Sequence, residues 1–166
     1  NGKLGLAINT IDKLNIANNK CGVYSIDLYI DNELVFQHKL EKLSFYTNRY
    51  INAHMDYLQY RYGKKSFHKS FLSENNKLKI YGEVKENGII SISDNKLHKV
   101  KYVVKDVYGN QATLNFNLQG NPKLKIVKAA KNGEYQFDAS SENKLVTDSF
   151  EAHFKKETLY EDASVE

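Results

Sequence analysis

The sequence predicts an all-β fold of about seven strands with one short inserted helix, and two observations carry that reading. From His98 to Gln119, Val100, Tyr102 and Val104 alternate with Lys99, Lys101 and Lys105. After the turn Asp106-Val107-Tyr108-Gly109-Asn110, residues Ala112, Leu114, Phe116 and Leu118 alternate with Thr113, Asn115, Asn117 and Gln119. Successive side chains on a strand point to opposite faces, so this stretch is a hairpin with one apolar and one wet face. Gly109 and Asn110 tolerate the backbone a tight reversal needs. The second observation is the same pattern earlier in the chain. Tyr24, Ile26, Leu28 and Ile30 alternate with Val23, Ser25, Asp27 and Tyr29, and a short Asp31-Asn32-Glu33 turn leads into Leu34, Phe36, His38 and Leu40. A sheet that is apolar on one side must pack that side, most often on a second sheet.

The remaining elements follow in order. Leu4, Leu6 and Ile8 alternate with Gly5, Ala7 and Asn9, which predicts a first strand, and residues 12–20 are polar and Asn-rich, a loop. From 47 to 62 the spacing turns helical. Ile51, Met55, Leu58 and Tyr62 share one stripe, while Tyr50, His54 and Tyr57 share the next. Thr47 or Asn48 would cap this helix and Gly63 would stop it. Further strands are expected at 67–72, 77–81 and 88–93, giving the count of an immunoglobulin-like or fibronectin-type β-sandwich. The expected core is Ile26, Leu28, Val100, Tyr102, Leu114 and Phe116, each on the apolar side of a hairpin strand. Pro122, the only proline, follows Gly120-Asn121 and marks a boundary. The sandwich is thus placed at 3–120. Residues 121–166 read as a linker and the start of a second, incomplete β domain, with strands opening at Leu124, Ile126, Tyr135 and Phe137.

Composition narrows the function classes. Hydrophobic residues are 41% and charged residues 27%, values of a globular rather than a disordered chain. The 24 basic residues are scattered among 20 acidic ones, so no nucleic-acid partner is expected. Cys21 is the only cysteine, which excludes an internal disulfide. No apolar run approaches the roughly 20 residues that cross a bilayer. The opening runs straight from Asn1-Gly2 into a strand pattern with no signal segment, as expected of an excised or processed piece of something longer.

Catalytic signatures are missing from the sequence, so neither a catalytic residue nor a cofactor is expected. A hydrolytic zinc site needs three protein ligands and an open position. His38, His54, His68, His98 and His153 are far apart in sequence and form no His-x-His or His-x-x-x-Asp. His153 with Glu157, and His54 with Asp56, are isolated pairs, so no metal site is expected. Cys21 has no histidine beside it, no Gly-x-Ser-x-Gly elbow occurs, and no Gly-rich phosphate loop is present. Asp106 offers a single carboxylate at its turn, which suits an Asx turn better than calcium. The helical region carries the one distinctive surface. Tyr46, Tyr50, Tyr57, Tyr60 and Tyr62 lie beside Arg49, Arg61, Lys64, Lys65 and Lys69. Aromatic rings give contact area and their hydroxyls a polar handle, as binding surfaces favour. Ile51, Met55 and Leu58 are assigned to packing. Arg49, Tyr50, His54 and Tyr57 are the candidate binding residues, packing on the sheet being the alternative.

Three segments bear a family resemblance: 20–35, which contains Cys21-Gly22-Val23-Tyr24; Arg49-Tyr50-Ile51-Asn52-Ala53-His54-Met55-Asp56-Tyr57; and His98 through Asp106-Val107-Tyr108-Gly109-Asn110. Over about 3–119 the chain resembles the immunoglobulin-like accessory domain that follows the LytM (lysostaphin-type) zinc endopeptidase domain in secreted Bacteroidetes-type peptidases. Such enzymes carry zinc on His-x-x-x-Asp and His-x-His, neither of which occurs here, so no catalytic residue carries over. The resemblance implies a non-catalytic spacer, substrate-positioning or interaction module of a cell-envelope peptidoglycan metallopeptidase, in an extracytoplasmic location. Its implied partners are the adjacent peptidase domain and peptidoglycan or another cell-surface glycan. A glycan- or protein-binding module acting through the tyrosine-rich helix is the alternative.

Overall fold

The alternating segments form strands, and the two hairpins pair with each other. The computed structural model describes residues 2–13, 19–121, 123 and 133–165. In chain order these hold β1 (Gly2–Leu4), β2 (Ala7–Asn9), β3 (Asp12–Lys13), β4 (Lys20–Cys21), β5 (Ser25–Ile30) and β6 (Glu33–Lys39). Two helices follow, α1 (Ile51–His54) and α2 (Tyr57–Arg61), then β7 (Phe67–Lys69), β8 (Tyr81–Val84), β9 (Ile90–Ile92), β10 (Leu97–Lys105) and β11 (Gln111–Gln119). The last strands are β12 (Tyr135–Phe137), β13 (Asn143–Val146), β14 (Glu151–Phe154) and β15 (Ala163–Val165). They divide into two units, one within Asn1–Leu72 and Leu78–Ile126, the other within Ser73–Lys77 and Val127–Glu166.

In the first unit a five-stranded antiparallel sheet runs in the order β11-β10-β5-β6-β8. Its β5–β6 turn has two residues, Asp31 and Asn32, both left-handed at φ 50° and 70°, the backbone whose twist matches the flanking strands. At the β10–β11 turn the Asp106 carboxylate accepts from the Tyr108 and Asn110 amides at 2.9 Å, an Asx turn. Ile26, Leu28, Phe36, Val100 and Tyr102 form the apolar face of the sheet, each no more than 1% exposed. The small β1–β9 and β2–β7 ladders supply the facing layer through Ile8, Ile90 and Ile92, with Leu4 and Leu6 packed alongside. The result is an all-β, sandwich-like fold. Where the β8–β9 link crosses the end of β7, Gly88 has φ 76° and an added Cβ would lie 2.3 Å from the Ser70 carbonyl oxygen, so only glycine fits.

Four expectations change, one being the strand expected at 77–81, which instead spans Tyr81–Val84 as β8. Among the described residues the first unit has eleven strands rather than about seven. The first is broken around Gly5-Leu6, and the two-residue ladder β3–β4 flanks the polar loop, whose residues 14–18 lie outside the described chain. Leu114 is not core but half exposed, and Phe116 is only partly buried, because β11 is the edge strand and is covered by a neighbour on one side only. The single helix over 47–62 is three pieces: a 3₁₀ turn at Asn48–Tyr50, then α1, then α2. Met55 is extended (φ −87°, ψ 147°) because its backbone bridges His68 in β7, and Asp56 then caps α2 by accepting from the Gln59 amide at 3.1 Å.

In the second unit β12 pairs with β15 and β13 with β14. Phe137 and Ala139 are buried, the Phe137 and Phe154 rings lie 5.4 Å apart, and the Asn75 side-chain amide donates to the Ala139 and Leu159 carbonyls. The strands expected at Leu124 and Ile126 lie outside the described residues. Among the described residues no helix is long and apolar enough to cross a membrane.

Candidate functional site

Strand alternation and the helix break together bring three histidines to one place. On β6, Phe36 and His38 share the inward face, and His38 pairs with Tyr81 of β8. α1 ends on His54. The extended Met55 turns the chain so that the Asp56 amide donates to the Phe67 carbonyl at 3.0 Å, which sets β7 beside the end of α1. His68 is thereby carried to His54, whose Nε2 lies 3.2 Å from its Nδ1. The His38 ring stands edge-on to His54 at 4.6 Å and lies 5.7 Å from His68, centroid to centroid. Tyr81 Oη lies 3.3 Å from His54 Nδ1. One ring nitrogen from each histidine lies within 4.8 Å of the others.

Burial sets the charge state of the cluster. His38 and His54 are each 1% exposed and His68 is half-buried. Desolvation pushes His38 down to about 3, with a further push from His68, and pushes His54 down to about 2, with help from His38, His68 and Lys69. His68 is lowered by desolvation as well. All three imidazoles are therefore neutral at pH 7, each with one N–H and one lone pair. His54 and His68 satisfy one another, and Tyr81 serves the far nitrogen of His54. Both nitrogens of His38 are buried without a hydrogen-bond partner. A buried polar group left unmade costs about 1–3 kcal/mol, so the sequence tolerates an unfavourable group in an otherwise apolar strand face. Three neutral imidazoles facing one another have the donor set of a transition-metal site.

The four candidate residues read from the sequence fall into two environments. Tyr50 and His54 are buried, while Arg49 keeps its guanidinium over the Tyr50 ring at 5.2 Å. Tyr57, 61% exposed, lies beyond the break on α2. Tyr57 belongs with a run that is exposed without interruption from 57 to 65 and includes Leu58, Tyr60 and Tyr62. Phe45 and Tyr46 are still more exposed. Between Lys42 and Ser66 stand five basic residues (Lys42, Arg49, Arg61, Lys64, Lys65) and one acidic residue, Asp56; this net +4 equals that of the whole chain, and the other 19 basic and 19 acidic residues cancel.

His38 and His68 were missed by sequence spacing, since 16 and 14 residues separate them from His54 and no short motif links the three. The signal that was present is positional: His38 occupies the apolar register of its strand. No known family model, curated protein or solved structure matches the chain.

Proposed function

We propose that this chain is a non-catalytic accessory module of a cell-envelope peptidoglycan metallopeptidase. It would work outside the cytoplasm, holding the adjoining peptidase domain against wall material through the aromatic, basic connection between β6 and β7. The observation that carries this reading is α2, which buries none of its residues although three of the five are Tyr57, Leu58 and Tyr60. The core of the first unit closes without them, so packing does not account for this apolar content. A tyrosine ring covers the C–H face of a sugar while its hydroxyl stays hydrated. Arg61, Lys64 and Lys65 beside these rings complement a carboxylate-bearing polymer, and peptidoglycan offers sugars and carboxylates together. Bond cleavage in this proposal belongs to the adjoining domain.

The test is co-sedimentation of the full chain with purified insoluble peptidoglycan, with cellulose as the neutral control. Binding should weaken as salt rises from 0.05 to about 0.5 M, because screening shortens the reach of the lysines and arginines. The double variant Tyr57→Ala/Tyr62→Ala should lose most of the bound fraction with its melting temperature unchanged. Equal binding to cellulose, or full binding by the double variant, would refute the glycan reading. Capture of the peptidase domain alone, without wall binding, would favour a protein contact instead.

A further inference from the structure

We propose that His38, His54 and His68 form a binding site for one divalent transition-metal ion of the zinc class. This goes beyond the glycan-contact reading and does not depend on it. Two geometric observations support it. The first is the spacing of the ligand atoms. Zinc–imidazole bonds of about 2.0–2.1 Å in a tetrahedron place neighbouring nitrogens about 3.3 Å apart. His54 Nε2 and His68 Nδ1 stand at 3.2 Å, already one edge of such a polyhedron. The third nitrogen, from His38, is within 4.8 Å of both, a gap that ring rotation about χ1 and χ2 spans. The second is His38 itself, 99% buried with both ring nitrogens lacking a partner, beside two other imidazoles. Hydrogen bonding within the trio leaves His38 unsatisfied, whereas a shared cation gives every ring a partner.

The surroundings fit the same occupant. His54 Nδ1–H can donate to Tyr81 Oη, which fixes the tautomer and leaves the Nε2 lone pair facing the other two rings, the usual support for a metal-binding histidine. The donor set is all imidazole, which suits Zn²⁺, Co²⁺, Ni²⁺ or Cu²⁺ and rejects the oxygen-seeking Mg²⁺ and Ca²⁺. His68 is the least buried of the three and gives the ion a way in. Three ligands leave a fourth position for water or a small anion. The ion would clamp β6 of the main sheet to the end of α1 and to β7. The site is not a displaced copy of a LytM centre, since no carboxylate belongs to it.

The experiment uses the full chain stripped with EDTA and returned to chelator-free buffer. Zn²⁺ is titrated by calorimetry, and Co²⁺ is followed by its visible d–d absorption. The expected result is one ion per chain, a four-coordinate Co²⁺ spectrum that Zn²⁺ displaces, and a melting temperature raised by about 5–10 °C at free zinc a hundredfold above Kd. Ca²⁺ should do nothing. His38→Leu and His68→Ala should each weaken Zn²⁺ binding at least a hundredfold, with folding checked by far-UV circular dichroism. His98→Ala and His153→Ala, at histidines outside the cluster that pair with carboxylates, should leave it unchanged. Absence of a zinc-dependent melting shift, or binding abolished by the His98 or His153 change and retained in folded His38→Leu and His68→Ala, would overturn the proposal.

Discussion

Replacing His38 with leucine should make the metal-free protein increasingly more stable than the parent as the solution is acidified. His38 has its folded pKa at about 3 because burial disfavours the charged ring, against an ordinary value of 6.5. Between those values the unfolded chain binds a proton that the folded chain refuses, so stability falls as pH drops from about 6.5 towards 3. At pH 5 the unfolded imidazole is protonated about 30-fold over its neutral form, a linkage of about 2 kcal/mol that is nearly absent at pH 7. The leucine variant lacks this group, so its stability relative to the parent should grow by about 2 kcal/mol between pH 7 and pH 5. A constant packing change, of about 1 kcal/mol for an imperfect fit, cancels in that difference. At pH 7 the variant also removes two unsatisfied ring nitrogens, a gain of about 1–3 kcal/mol. The assay is urea unfolding in EDTA at pH 7, 6 and 5, followed by circular dichroism or by tyrosine fluorescence, which no tryptophan obscures. A stability difference that stays constant from pH 7 to pH 5 would refute the burial of His38.

His98 should behave with the opposite sign. Asp94 first, then Asp31, hydrogen-bond its ring and hold its pKa above 6.5, so its stabilising contribution is complete at acid pH and fades as pH rises through the folded value. An NMR titration should find its midpoint above 6.5 and lower in Asp94→Asn; an unmoved midpoint would reject the contact. Leu28→Ala empties a position with no solvent exposure at the centre of the main sheet and should cost about 2–5 kcal/mol in the same urea assay, whereas the half-exposed Leu114→Ala should cost clearly less. Tyr102→Phe removes the hydroxyl that donates to Ser70 Oγ at 2.9 Å between two buried side chains, with an expected loss of about 1–2 kcal/mol; a neutral result would mean that Ser70 finds another partner.

Local chemistry in the sequence determined the two long hairpins and the inward residues of β5 and β10. Alternation placed Ile26, Leu28, Val100 and Tyr102 inward, and the short polar residues Asp31 and Asn32 accepted the left-handed backbone of a two-residue turn. It also placed His38 on an apolar face, which was as much of the histidine cluster as the chain revealed locally. Tertiary structure decided the rest. Leu114 has the same alternating pattern as its neighbours, yet it lies on an edge strand, and a pattern cannot say how many neighbours a strand will have. Helical spacing continued through Met55, but the chain turns extended there, where Met55 bridges His68 and the Asp56 amide bonds the Phe67 carbonyl instead of one within the helix. That same bridge separated Tyr57 from His54 and delivered His68 to it. Periodicity reports which way a side chain points within its own element. Which elements meet depends on long-range packing, and no spacing between 38, 54 and 68 encodes that.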